Sequence, residues 1–147
     1  NGIQQGGTNA KSIASVKEIS KRIVTATTTE AGLVGFLSAL SSVGVTANKV
    51  GYLAGIYDDG DIRYMRFTNL DDTNHITLTF RDEDNTEFRM KVDAGHSFIY
   101  PGDNSAGVVD TMKAGGSALA SGLADLVDIT VDTDTASCDV EVFIASV

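Results

Sequence analysis

The chain has 147 residues, one of them proline, with hydrophobic residues at 42% and charged residues at 21%, a balance that supports one globular domain with its own core and excludes a disordered polymer. Its net charge of −9 has the wrong sign for a phosphate backbone, so nucleic acid is not an expected direct ligand. No run approaches the ~18 apolar residues that cross a bilayer, and the opening lacks the apolar stretch of a secretory leader, so neither an anchor nor an export signal is expected.

The charge is unevenly spread. Residues 1–57 carry five Lys/Arg and two acids, while residues 58–147 carry six Lys/Arg and eighteen acids. A mildly basic head can meet an acidic neighbour, including another copy of the chain; acids that keep the surface soluble are the simpler reading of the remainder. Cys138 is alone, which rules out an internal disulfide and a cysteine zinc cage; within an alternating apolar run it reads as a buried, inert thiol.

Residues 1–15 are polar and contain Gly2, Gly6 and Gly7, the composition of an extended N-terminal arm. In "VKEISKRIVTATT", Val16, Ile19 and Ile23 fit a helical period, but the β-branched end favours a strand from about Arg22. "AGLVGFLSALSSVGV" (31–45) reads as a buried strand or strand plus turn, since Gly32, Gly35 and Gly44 oppose a helix. "KVGYLAGIY" (49–57) reads as a strand stopped by the turn Asp58-Asp59-Gly60-Asp61.

The alternation is clearest between 63 and 103. Met65 and Phe67 share a face, then Ile76, Leu78 and Phe80, then Phe88, Met90 and Val92, with polar partners opposite. "DDTN" and "DEDN" supply turn chemistry between them, and strands joined so closely are expected to run antiparallel. "DAGHS" turns around Gly95 into "FIYPGD", a strand ended by Pro101. Residues 103–123 are small and nearly uncharged, which reads as a long loop that either lies on the surface or lets a neighbour approach closely. At the end, Val127, Ile129 and Val131 face one way and Asp128, Thr130 and Asp132 the other; "TDTA" reads as a hairpin turn, and Cys138, Val140, Val142 and Ile144 point inward. About eight strands and no helix predict an all-β protein: an antiparallel β-sandwich, in jelly-roll form, with an N-terminal arm at 1–15, one domain at 16–147 and a long loop at 103–123.

No residue pattern points to catalysis. His75 and His96 stand at turns without metal-ligand spacing. Asp93, His96 and Ser97 place acid, base and hydroxyl close in sequence, but the nucleophile elbow is missing. The acids of 58–61, 71–72 and 82–84 could hold a weak structural Ca²⁺, though solvated turn acids are the simpler reading, and no cofactor is expected. Tyr52, Tyr57, Tyr64 and Tyr100 are the candidates for stacking a sugar in the absence of Trp, and read better as core rims or contact residues. The candidate interaction residues are Lys11, Lys17, Lys21 and Arg22 in the basic head and Val108, Val109, Met112 and Leu119 in the long loop.

The segment "MRFTNLDDTNHITLTFRDEDNTEFRMKVDAGHSFIYP" resembles the small β-sandwich virion proteins of tailed bacteriophages, especially those of marine and cyanobacterial phages. The shared pattern is a strand ending in N-x-D-x-x-N, here Asn69, Asp71 and Asn74, then an apolar–basic strand from Phe88 to Val92, then a glycine turn at Ala94-Gly95-His96, where the family usually carries an acid in place of His96. "DITVDTDTASCDVEVFI" is similar to that family's last hairpin. The resemblance covers roughly 62–102 and 124–147. It implies a capsid decoration or cement protein, made in the host cytoplasm and placed on the capsid surface, whose partners are the major capsid protein and copies of itself, in a homo-oligomer such as a trimer. A neck or tail component is the nearby alternative, and a glycan-binding module is the alternative from another class.

Overall fold

The computed structural model describes residues 12–13, 15–36, 51–82, 87–101 and 126–147, apart from the side chains of Asp59 and Pro101. The long loop 103–123 and nearly all of the arm therefore lie outside the described residues. The described chain is all-β, with strands β1 (Glu18–Ala26), β2 (Ala31–Phe36), β3 (Ile56–Tyr57), β4 (Ile62–Asn69), β5 (Ile76–Asp82), β6 (Glu87–Val92), β7 (Ser97–Pro101), β8 (Leu126–Thr133) and β9 (Cys138–Ser146). They form a four-stranded sheet, β1-β9-β4-β7, and a five-stranded sheet, β3-β2-β8-β5-β6. The sheets pack face to face over one core that includes Leu33, Phe36, Met65, Phe67, Leu78, Phe80, Ile129 and Val142.

The inward residues are those that period-2 alternation selects in β4, β5, β6 and β9, including the buried Cys138. Burial pushes the Cys138 thiol pKa up, which keeps it protonated and unreactive. β8 departs from expectation at its start. Its register against β5 shifts between Arg81 and Asp82, and Leu126 rather than Val127 joins the core. An irregularity of this kind re-aims the side chains that follow it.

Two expectations about the connections fail. The turns after β4 and β8 were expected to close antiparallel hairpins, but β4 and β9 lie in one sheet and β5 and β8 in the other. These turns are corners between layers; only β5 and β6 pair as sequence neighbours in the expected antiparallel way. The corner after β4 is held by the Asn-x-Asp-x-x-Asn motif. Buried Asn69 donates from Nδ2 to the carbonyls of Asn74 (2.8 Å) and Val92 (3.2 Å) and accepts from the Asp71 N–H (3.0 Å). Asp71 in turn accepts from the N–H groups of Thr73 and Asn74, which hold its carboxyl below the usual carboxylate range. A hairpin needs only a tight turn, whereas this corner ties one sheet's strand end to a strand of the other.

The segment 51–55 was expected to extend a strand and instead turns across β2. Gly51 and Gly55 have φ of 93° and 108°, a region closed to strand residues and open to glycine. Leu53 N–H and Ala54 N–H bond the carbonyls of Gly32 and Leu33 where β2 shifts register against β8. Only Ile56 and Tyr57 pair with β2, and they do so in parallel rather than antiparallel. This turn lays the Tyr52 ring on β2: a Cβ at Gly35 would stand 2.7 Å from the ring, and one at Gly32 2.9 Å.

Tyr52 closes a polar layer on the outer face of the five-stranded sheet. Asp128 and Thr130, expected to face solvent, are buried. The Tyr52 hydroxyl donates to Asp128 Oδ2 (3.2 Å), and Arg81 reaches Glu87 (2.6 Å), Asp128 (3.5 Å) and Glu30 (3.7 Å). Thr130 donates to Glu30. Burial first, and then the Asp128 charge, push the Tyr52 pKa from 10.0 up to about 12. Between those values the folded chain holds a proton that the unfolded chain has lost, so stability falls as pH climbs through that window. Denaturant unfolding of the wild type across it is expected to show this loss, and Tyr52→Phe to remove that part of it.

Candidate interaction surface

The structure places three of the four predicted basic residues, Lys17, Lys21 and Arg22, on one edge. β1 is an outer strand of the four-stranded sheet and pairs with β9 over nine positions without a register shift. Lys21 and Arg22 lie in β1 and Lys17 immediately precedes it, all exposed. Lys11, Val108, Val109, Met112 and Leu119 lie outside the described residues.

Alternation divides β1 into two faces. Ile19, Lys21 and Ile23 point outward from the sandwich, and both isoleucines are 61% exposed. Register continues this face across the sheet: Lys21 lies beside Phe143, Phe143 beside Arg66, and Arg66 beside Ile99, itself 49% exposed. Glu141 sits between the two cations, 2.8 Å from Lys21 and 2.7 Å from Arg66. Their hydrogen bonds hold its carboxyl below the usual range. Arg66 also lies over the Phe143 ring at 5.5 Å, and Tyr64 meets that ring edge-on at 5.9 Å. Ion pairs at the surface contribute about 0–1 kcal/mol, so their main effect is to hold long side chains on a partly apolar face.

The other face of β1 borders a polar cleft of about 340 Å³ lined by Glu18, Ser20, Arg22, Tyr57 and Asp58 among others. The Tyr57 hydroxyl donates to Ser20 Oγ at 2.9 Å and lies 3.0 Å from the Ala54 carbonyl oxygen. Among the described residues, neither Glu18 nor Arg22 has an ion-pair partner.

The residues with possible chemistry are engaged separately. His96 Nδ1 contacts the Ala94 carbonyl at 2.8 Å, Asp93 pairs with Lys91 at 2.7 Å, and Ser97 Oγ meets Thr68 Oγ at 2.8 Å. His75 lies 3.2 Å from Asp134. Among the described residues no three His, Cys, Asp or Glu side chains gather as metal ligands would.

Sequence reasoning missed Ile19, Ile23, Ile99, Arg66, Glu141 and Phe143 as parts of this face. Ile19 and Ile23 also fit a helical period, and the favoured strand starts only at about Arg22, so the two isoleucines are not placed together on one strand face. The signal that could have found them is the alternation Ile19-Lys21-Ile23, with the polar Ser20 and Arg22 between. Comparison with protein-family models, curated proteins and solved structures finds no match for this chain.

Proposed function

We propose that the protein is a bacteriophage virion structural protein, a decoration or cement subunit that binds the head lattice through an exposed sheet face. The observation that supports this most is the strand order. With the two-residue β3 set aside, β1-β9-β4-β7 over β2-β8-β5-β6 reads as a jelly roll, an arrangement used by viral capsid domains and lectins. The tyrosines favour the first of these uses: all four are half-buried, and Tyr52 and Tyr57 already spend their hydroxyls inside the chain. A two-sheet body with a partly apolar outer face of Ile19, Ile23, Ile99 and Phe143 suits many weak contacts repeated over a lattice. The partners in this reading are the major capsid protein and copies of the chain itself.

Quantitative mass spectrometry of purified particles tests the reading. On the order of hundreds of copies per particle is expected for a subunit that follows the symmetry of the head. About a dozen or fewer would overturn decoration in favour of the neck or tail, and absence from particles would overturn the virion role altogether.

A further inference from the structure

We propose that β1 pairs edge to edge with β1 of a second copy, antiparallel and in one register, with Ser20 opposite Ser20 of the partner subunit on the two-fold axis. The inference stands apart from the virion role. An unpaired edge strand presents free N–H and C=O groups to another chain, and natural proteins usually blunt such edges with proline, a bulge or charge. β1 has neither proline nor bulge over its nine residues, and the charge of Lys21 is already met by Glu141. No described segment hydrogen-bonds along its outer edge.

Charge selects both the occupant and the register. Opposite charges facing each other across strands are favourable and like charges are unfavourable. Centring the two-fold on Lys21 or Arg22 sets that cation against its own copy, and centring it on Ile19 sets Lys17 against Lys21. Centring it on Ser20 sets Glu18 against Arg22 twice, once on each side of the axis. These are the two β1 charges without an ion-pair partner among the described residues, and they share the cleft face. On the opposite face the same register lays the aliphatic stem of Lys21 against Ile19, covering part of a side chain that is 61% exposed. The strand is thus complementary to itself, as a two-fold contact requires.

Sedimentation equilibrium of the full chain tests this, with circular dichroism confirming that each variant is folded. The wild type is expected to dimerise reversibly. Glu18→Arg sets arginine against arginine, and Arg22→Glu sets glutamate against glutamate; each is expected to weaken the dimer roughly ten- to a hundredfold. The double reversal, Glu18→Arg with Arg22→Glu, restores both pairs and is expected to recover the wild-type constant. A wild type that stays monomeric, single reversals that leave association unchanged, or a double reversal that fails to recover it would each overturn the proposal.

Discussion

Phe80→Ala is expected to destabilise the fold by about 3–5 kcal/mol, a large part of the roughly 5–15 kcal/mol that holds a typical domain together. Phe80 is fully buried in β5 and, among the described residues, is the one ring that touches aromatics of both sheets. It stacks on its cross-strand neighbour Phe88 at 4.4 Å. Across the interface it meets Phe67 at 6.5 Å, and Phe98 and Tyr100 at 5.6 Å each. Removing it leaves a cavity whose rim belongs to two layers, and neither layer can close it without parting from its own strands. Denaturant unfolding would measure the loss as a lower midpoint with an unchanged slope. Phe80→Leu, which keeps much of the volume, should cost clearly less. Equal costs for the two variants would mean that the site relaxes freely and that the aromatic cluster does not bind the layers together.

Arg81→Met should cost about as much, roughly 3–5 kcal/mol, because it takes the facing positive charge away from a buried carboxylate. The Arg81 side chain is only 18% exposed and Asp128 1%. Without the guanidinium, the buried Asp128 loses the cation 3.5 Å from it, while Glu87 keeps Arg89 at 3.6 Å. Removing the facing positive charge raises the pKa of buried Asp128, so the variant's folded state binds a proton there more tightly than the wild type's does. The loss relative to wild type therefore shrinks as pH falls through the carboxylate range. The defect relative to wild type should be largest near about pH 7 and smaller near about pH 5. Arg81→Lys keeps the charge but loses the two-pronged contact with Glu87, at 2.6 and 2.8 Å, and should fall between the two. A defect that ignores pH would show that packing of the side chain, not its charge, is what matters there.

The β-sandwich was legible because most strands carry their periodicity openly. Met65 and Phe67, Ile76 to Phe80, and Val140 to Ile144 alternate with polar residues, and side-chain period is a property of the strand itself. Which strands pair is not. A short acidic turn such as Asp71 to Asn74 serves a hairpin and an inter-sheet corner equally well. The difference lies in Asn69, whose amide reaches the carbonyl of Val92, far along the chain. The buried sides of Asp128 and Thr130 were likewise hidden, since polar residues on an alternating strand mean solvent unless something distant covers them. Here the cover is Tyr52, and it fits only because Gly32 and Gly35 carry no side chain. Of the candidate interaction surface, the sequence revealed the cations of β1 and concealed its isoleucines, because an exposed isoleucine looks like a core residue until the strand's neighbours are known.

β9 follows every other described strand in the sequence, yet it lies between β1 and β4 and is bonded to both. Until it is made, β1 has nothing to pair with and the sheet exists as two separated parts. A growing chain therefore cannot complete this layer progressively from its beginning, and the β-strands made first must wait with their edges open. Pairings this remote make folding slow, of the millisecond-to-second kind, and they make the layer all-or-nothing: a chain interrupted before Cys138 has every strand of the five-stranded sheet and most of its apolar residues, but no complete second layer to cover them.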